Sequence, residues 1–222
     1  MAQRYFDNEI SRDGIKYGIT DNGTLVVTNG RNAKFTTVGI PEQINGMPVV
    51  EVEESAFSNS RIKIVTLPKT VVKIGNHAFS NSINLKQAVF YADNVQIGRS
   101  AFSGCFKLTE VSGNKLQTMS DCTFWQCKNL VKINAEFAGD VYSKTFGQCK
   151  RLEDIQFADG VKLHTDVFYG CRSVKTLYFA TKADIPVSIM KFVEKRQVVC
   201  NENSPLAELA YTGTDVILAK VD

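Results

Sequence analysis

Two stretches that repeat one another decide the fold. Residues 74–90 read IGNHAFSNSINLKQAVF, and residues 97–113 read IGRSAFSGCFKLTEVSG. A phenylalanine preceded by Ala, Thr or Val recurs every 22 or 23 residues, at Phe57, Phe79, Phe102, Phe124, Phe146 and Phe168. Self-similarity at a fixed period of this length is the signature of a solenoid, in which each repeat buries its apolar face against its neighbours.

Other apolar positions keep a constant distance from each phenylalanine. An apolar residue lies five residues before it, at Val52, Ile74, Ile97, Met119, Val141 and Leu163. A short stretch of alternating apolar residues follows later in every repeat, as in Ile155 and Phe157. Alternation predicts a strand with one face inward. We therefore expect one short parallel strand per repeat on the concave face of a leucine-rich-repeat solenoid.

A polar or thiol column lies three residues after each phenylalanine, at Ser60, Ser82, Cys105, Cys127, Cys149 and Cys171. Together with Ile74-Gly75 and Ala101-Phe102, this column resembles the BspA-type leucine-rich repeat, whose pattern reads I-G-x-x-A-F-x-x-C-x-x-L-x-x-I-x-I-P. The resemblance covers about residues 38–180. It implies an α/β repeat that is mostly β, with turns and short helical pieces on the convex side. It also implies a non-enzymatic, adhesion-type or protein–protein binding module, because family members are mostly surface-associated.

We read residues 1–222 as a single leucine-rich-repeat domain, since no linker or low-complexity segment interrupts the chain. Residues 1–37 are predicted to form an N-terminal cap of hairpins, residues 38–182 the repeats, and residues 183–222 a small α/β C-terminal cap. Dipeptides that favour φ > 0 in hairpin turns mark the first cap. They are Asp13-Gly14, Asn22-Gly23 and Asn29-Gly30.

Composition narrows the class of protein. The 222 residues are 44% hydrophobic and 22% charged, which excludes a disordered chain. The longest apolar runs are far shorter than the ~20 residues needed to cross a bilayer, so we expect no membrane insertion. The net charge of +3 is too small to favour nucleic acid. The absence of an apolar N-terminal signal and the expected free thiols indicate a cytoplasmic protein; a removed signal peptide would place it at the cell surface or outside.

Four cysteines form a column with a constant spacing of 22 residues: Cys105, Cys127, Cys149 and Cys171. Stacked side chains point in parallel rather than at each other, so we expect buried, reduced thiols that behave as small hydrophobes. Ligands in a straight ladder cannot form a tetrahedron, and no C-x-x-C occurs. We therefore expect no metal and no cofactor.

Catalysis has little support in this sequence. There are two histidines, and stacking places His77 two coils from Cys122, roughly 10 Å away. That separation is too large for a hydrogen bond between a nucleophile and its base. Glycine-rich phosphate loops, H-E-x-x-H and G-x-S-x-G motifs are absent from the sequence. We expect no enzymatic activity and name no catalytic residue.

Residues that flank the inward pair on each strand point outward from the sheet. Apolar and aromatic residues among them are typical of interface anchors. The predicted partner-binding surface consists of Ile64, Gln87, Val89, Tyr91, Lys132, Asn134, Glu136, Gln156 and Tyr178. The expected partner is a protein or an extracellular-matrix ligand, bound by a monomer. The alternatives are a solvated sheet that binds nothing specific and an intracellular structural or scaffolding repeat protein.

A second candidate surface is basic. The residues just after the ladder position are aligned along one edge of the predicted solenoid: Lys107, Lys128, Lys150, Arg151 and Arg172. Such a stripe could meet an acidic protein or a polyanionic glycan. Glu110 and Glu153 lie close in sequence and are expected to cancel part of its charge. Trp125 and Tyr169 follow Phe124 and Phe168, where they either cover convex turns or form an exposed aromatic pair.

Overall fold

The computed structural model describes residues 8–180, 183–186, 188–189, 192, 195–201, 204, 206–207 and 216–219. Within these ranges the chain is a mostly β solenoid, as predicted. Its strands are β1 (Glu9–Arg12), β2 (Ile15–Ile19), β3 (Leu25–Asn29), β4 (Thr37–Gly39), β5 (Gln43–Ile44), β6 (Met47–Val52), β7 (Ile64–Leu67), β8 (Lys73–Ile74), β9 (Gln87–Phe90), β10 (Val95–Ile97), β11 (Glu110–Met119), β12 (Lys132–Phe137), β13 (Asp140–Val141), β14 (Asp154–Phe157), β15 (Val161–Leu163), β16 (Thr176–Phe179), β17 (Ala183–Asp184), β18 (Gln197–Asn201) and β19 (Val216–Ala219).

Parallel strands form two sides of each coil. The first sheet runs β4-β7-β9-β11-β12-β14-β16-β18-β19. We call it the concave sheet, after the face that it forms in a leucine-rich-repeat solenoid. The second sheet runs β3-β6-β8-β10-β11-β13-β15-β17. The long strand β11 contributes its first half to the concave sheet and its last residues to the second sheet.

The third side of each coil consists of tight turns around the repeated phenylalanine. The residue two positions before each phenylalanine has a φ between 54° and 59°, and residues two positions after it are also left-handed. A left-handed residue cannot continue a right-handed helix. The short helical pieces expected on this side are therefore single turns, closed by bonds such as Ser60 N to Phe57 O at 3.1 Å.

The core is a column of phenylalanine rings. Consecutive rings from Phe57 to Phe168 stack with centroids 4.9–5.9 Å apart, and Phe192 extends the column at 4.6 Å. The repeated phenylalanines are buried, together with the inward residues of both sheets, such as Val65 and Val52. Stacking of identical positions on successive coils is what makes the core continuous.

The N-terminal cap contains two of the three predicted hairpins. β1 pairs antiparallel with β2 around Asp13-Gly14, and β2 pairs antiparallel with β3 around Asn22-Gly23. The hairpin predicted at Asn29-Gly30 is wrong, because β3 pairs in parallel with β6 instead. Gly30 allows close packing, because a Cβ at this position would overlap the Phe57 ring.

The C-terminal end is described in part. Strands β18 and β19 continue the concave sheet in parallel. Much of the predicted cap over residues 183–222 lies outside the described residues. Across the described ranges there is no helix long and apolar enough to span a bilayer.

Candidate functional site

The predicted partner-binding residues lie on or beside β7, β9, β12, β14 and β16 of the concave sheet. They alternate with buried residues, so their side chains stand on the outer face. Three of them are half-buried, namely Ile64, Gln87 and Val89; the other six are exposed, namely Tyr91, Lys132, Asn134, Glu136, Gln156 and Tyr178. Because successive side chains of a strand point to opposite faces, the alternation places them on one surface.

Hydrogen bonds hold the polar centre of this surface in place. Glu110 accepts a bond on each carboxylate oxygen, from Asn134 Nδ2 at 2.9 Å and from Gln87 Nε2 at 3.3 Å. A carboxylate held by two amide donors has little freedom to reorient, so the centre of the sheet is preorganised. The role of Glu110 as the hub of this network was missed in the sequence.

Extra residues in β11 and β12 interrupt the regular rows. The pairing of these strands shifts between Ser112 and Lys115, and the pairing of β12 with β14 shifts between Lys132 and Phe137. Such bulges re-aim side chains locally. Glu136 lies in this irregular stretch and accepts a hydrogen bond from Gln156 Nε2 at 3.3 Å.

Apolar residues project at both ends of the concave sheet. Tyr91 is 62% exposed near the first coils, and Tyr178 is 40% exposed near the last. The register places Tyr178 beside Val199 and Val199 beside Ile217, which is itself exposed. The row of three was missed in the sequence; the alternation of outward Val199 with buried Val198 and Cys200 is the signal that could have revealed it.

The basic stripe lies on the turns rather than on the sheet. All five of its side chains are exposed, and none forms an ion pair within the part of the chain that the structure describes. Lys107 and Arg151 instead contact the side-chain oxygens of Asn84 and Asn129, and Lys128 lies over the Phe106 ring. The two glutamates expected to cancel the stripe are engaged elsewhere: Glu110 is held by amides and Glu153 pairs with Lys175 at 2.8 Å.

The cysteine ladder is buried, and its thiols are not merely apolar fillers. Each Sγ donates to the carbonyl oxygen of the phenylalanine one coil earlier, at 3.0–3.1 Å. All six cysteines are free. Burial raises the pKa of the four ladder thiols far above the value of 9.0 for a free thiol, so they stay protonated at neutral pH.

These columns are those of a known repeat. A family model described as the BspA type Leucine rich repeat region matches six copies over residues 50–175. The chain belongs to this family. In this chain, the BspA-type repeat consists of two parallel sheets, a phenylalanine core and a thiol ladder. Both the resemblance and the predicted fold class are confirmed.

One solved structure shares this fold at low sequence identity. A leucine-rich repeat protein from T. pallidum is 23% identical, with a TM-score of 0.57 over 85% of this chain and 95% of that chain. A leucine rich cell surface protein from Faecalibacterium prausnitzii A2-165 is 15% identical, with a TM-score of 0.45 over 89% of this chain and 73% of that chain. No curated protein matches this chain in sequence.

One aromatic contact on the convex side of this BspA-type repeat array bridges two coils. Trp125 stacks on Tyr169 with ring centroids 5.9 Å apart, and it crosses the intervening coil above Gly147, where a Cβ would clash with the indole. The sequence left two interpretations open, cover of the convex turns and an exposed aromatic pair, and each applies to one residue. Trp125 covers a turn, while Tyr169 stays 51% exposed. Within the described ranges no group of three or more His, Cys, Asp or Glu could hold a metal ion.

Proposed function

We propose that this protein is a non-enzymatic binding module whose partner is another protein, engaged by the outer face of the concave sheet. Leucine-rich-repeat proteins generally bind proteins, which supports the class of activity. The observation that carries the choice of surface is the exposure of Tyr91 and Tyr178 on a sheet whose polar centre is held by Glu110. Large aromatic side chains are the residues that most often anchor interfaces.

Rigidity favours this surface over the turns. A preformed sheet loses little conformational entropy when it binds, so more of its contact energy appears as affinity. The hydrogen bonds from Gln87 and Asn134 to Glu110, and from Gln156 to Glu136, fix side chains that would otherwise need ordering. A ligand on a cell surface or in a matrix would suit such a module equally well, which is the adhesion form of the same proposal.

The test begins with capture of partners from cells or matrix on the immobilised chain, followed by affinity measurements with the purified partner. Tyr91→Ala and Tyr178→Ala should each weaken binding by more than about 1 kcal/mol, or roughly fivefold. Tyr169→Ala is the matched control, because this tyrosine is equally exposed but lies on the convex side. Melting temperatures should stay nearly unchanged in the two concave-sheet variants.

The basic stripe supports a second candidate, an acidic protein or polyanionic glycan, because its charges lack ion-pair partners in the described part of the chain. Charge reversal of Lys128, Lys150 and Arg172 should abolish binding if the stripe is the site. Affinity should then also fall steeply with salt, since exposed charges are screened. If neither the tyrosine nor the charge variants affect any captured partner, the concave-sheet proposal fails and the scaffolding role gains support.

A further inference from the structure

One edge of the solenoid carries more positive charge than the basic stripe alone. In six consecutive coils a short segment connects the ladder position to the strand of the concave sheet. Together these segments form what we call the basic face, residues 61–63, 83–86, 106–109, 128–131, 150–153 and 172–175. Nine exposed cations lie on it, namely Arg61, Lys63, Lys86, Lys107, Lys128, Lys150, Arg151, Arg172 and Lys175. Within these segments, all of which the structure describes, the one acidic residue is Glu153, which pairs with Lys175 at 2.8 Å.

The basic face concentrates charge that the composition of the chain conceals. The chain has 26 lysines and arginines and 23 acidic residues, of which nine cations and one acid lie on this face. The face therefore carries a net charge of +8, while the rest of the chain carries −5. A one-sided distribution of this kind creates a local potential that attracts anions, although the whole chain is only weakly basic.

Backbone hydrogen bonds join the six segments into one continuous surface. Lys86 N donates to Lys63 O at 2.7 Å, and Thr109 N donates to Lys86 O at 2.9 Å. The last two coils are joined in the same way, from Lys175 N to Glu153 O at 2.7 Å. Neighbouring strands lie about 4.8 Å apart, so the face is about 24 Å long. That coil spacing is shorter than the Debye length of about 8 Å at physiological salt, so cations on neighbouring coils act together on one ligand.

One row of the basic face alternates neutral and charged groups. Five successive coils carry, at the same position, Asn84, Lys107, Asn129, Arg151 and Ser173. Lys107 Nζ donates to Asn84 Oδ1 at 3.1 Å, and Arg151 Nη1 contacts Asn129 Oδ1 at 3.4 Å. The cations of this row are thus positioned by neutral amides, which leave their charge uncancelled.

We propose that the basic face binds a linear sulfated polysaccharide whose chain runs across the six coils. Such a chain carries charged sulfates separated by neutral hydroxyl groups, which matches a row where cations alternate with amide and hydroxyl groups that can bond them. The proposal rests on the basic stripe described above as a second candidate site, and it extends that site from five cations to nine. It does not depend on binding by the concave sheet.

The composition of the face disfavours a folded acidic protein as the ligand. Six of its nine cations are lysines, a residue type that is depleted in protein–protein interfaces. Exposed ion pairs between discrete side chains also contribute little, because water and salt screen them. A polyelectrolyte chain differs, since every charge that a lysine neutralises releases a condensed counterion. Affinity then accumulates along the whole length of the face.

The apolar side chains of the face favour neither a membrane nor a single-stranded nucleic acid. Those that are exposed, in the segments defined above, are Ile83 and Phe106. Proteins that lie on a bilayer bury an apolar surface in it, but Lys128 Nζ lies over the Phe106 ring, 5.1 Å from its centroid. Single-stranded nucleic acids stack successive bases on several aromatic side chains, and this face offers only that one.

The test titrates the full chain with heparin oligosaccharides of increasing length, using calorimetry at several salt concentrations. Affinity should rise with length until the oligosaccharide spans the six coils, and it should fall steeply as salt is added. Heparin stripped of its sulfates should bind at least tenfold more weakly, because counterion release is lost. Polyglutamate, a single-stranded DNA, and vesicles of phosphatidylcholine and phosphatidylserine in equal amounts are the competing probes, and each should bind more weakly than long heparin.

Two triple variants divide the face into halves: Lys63→Gln, Lys86→Gln and Lys107→Gln in one, and Lys128→Gln, Lys150→Gln and Arg172→Gln in the other. Each should weaken long heparin roughly tenfold or more and reduce the slope of log affinity against log salt by about two to three. The matched control removes three exposed lysines outside the face, through Lys34→Gln, Lys69→Gln and Lys162→Gln. It makes the same change in net charge and should bind heparin like the unaltered chain.

The proposal is overturned if long heparin does not bind at physiological salt, or if the control variant loses as much affinity as the two halves. Tighter binding to polyglutamate, DNA or the vesicles would assign the face to that ligand and equally overturn it. The chain with Tyr91→Ala and Tyr178→Ala should bind heparin normally. A failure here therefore leaves the concave-sheet proposal standing, and a failure of that proposal leaves this one standing.

Discussion

At the ladder positions a thiol and a hydroxyl make the same hydrogen bond. Ser82 Oγ donates to Phe57 O at 2.6 Å, and Cys127 Sγ donates to Phe102 O at 3.1 Å. The position thus requires a small side chain with one donor. The identity of the donor changes along the chain from serine to cysteine without disturbing the phenylalanine column.

The phenylalanine column allows the first prediction. Phe124 is fully buried between Phe102 and Phe146, with ring centroids 5.4 and 5.9 Å away. Phe124→Ala should therefore lower the free energy of unfolding by about 3–5 kcal/mol, through lost transfer energy and the cavity left behind. Urea denaturation measures the change. A loss below about 1 kcal/mol would contradict the packing described here.

At the scale of elements, the cap and the first coil depend on one close approach of backbone to ring. The chain passes from strand β3 into the first coil at Gly30, whose amide donates a hydrogen bond to Ala56 O at 2.7 Å. The Phe57 ring occupies the space that a side chain at this position would need. The cap is therefore joined to the repeats by packing against the first ring of the column as well as by strand pairing.

This junction gives a prediction with an internal control. Gly30→Ala should destabilise the chain by about 1–3 kcal/mol, because its Cβ would overlap the Phe57 ring and force a shift. Gly39→Ala should change stability by less than about 0.5 kcal/mol, because nothing lies within 4 Å of a Cβ at that position. Thermal and urea unfolding of the two variants provide the comparison. Equal effects would show that the junction does not depend on the ring contact.

At the scale of the whole molecule, the four buried ladder thiols make the free energy of unfolding depend on pH. Burial raises the pKa of Cys105 and Cys171 to about 12 from 9.0, and it raises the pKa of Cys127 and Cys149 in the same direction. Above pH 9 the unfolded chain loses thiol protons that the folded chain keeps. The stabilisation is therefore complete below pH 9 and is lost as the pH rises toward the folded pKa.

The expected slope is at most about 1.4 kcal/mol per pH unit for each thiol. A variant with all four ladder cysteines replaced by serine should lose less stability between pH 8 and pH 11, because hydroxyls do not titrate there. The measurement is the urea midpoint of both chains across this pH range. Lysines and tyrosines titrate in both chains alike, so the difference between the two profiles reports the ladder thiols. Parallel pH profiles would show that the ladder is not buried as described.

Much of this fold could be predicted from residue spacing alone. The 22-residue period gave the coils, and alternation gave the strands and the outward side chains of the concave sheet. The second sheet was missed, although its positions were visible as apolar residues such as Ile74 and Val141, because strands of two or three residues leave too short a pattern. Asn29-Gly30 was misread because the constraint on Gly30 comes from the Phe57 ring, which is 27 positions away.

Features of the sites that depend on three-dimensional register were beyond the sequence. The shifts in β11 and β12 follow from extra residues whose placement is decided by neighbouring strands. The apolar row through Val199 and Ile217 likewise depends on which strand lies beside which. Spacing identifies what faces inward within a coil, whereas contacts between coils identify which exposed residues share a surface.

The left-handed residues of the turns have a consequence for engineering. Non-glycine residues other than Asn and Asp are held there at a cost of roughly 1 kcal/mol each. Cys122, Gln126, Lys144 and Gln148 occupy such positions in two consecutive coils, with φ between 55° and 61°. Glycine already stands at the sites equivalent to Gln126 and Gln148 in two other coils, at Gly104 and Gly170. Replacing these four residues with glycine or asparagine should raise thermostability without altering either sheet or the aromatic column.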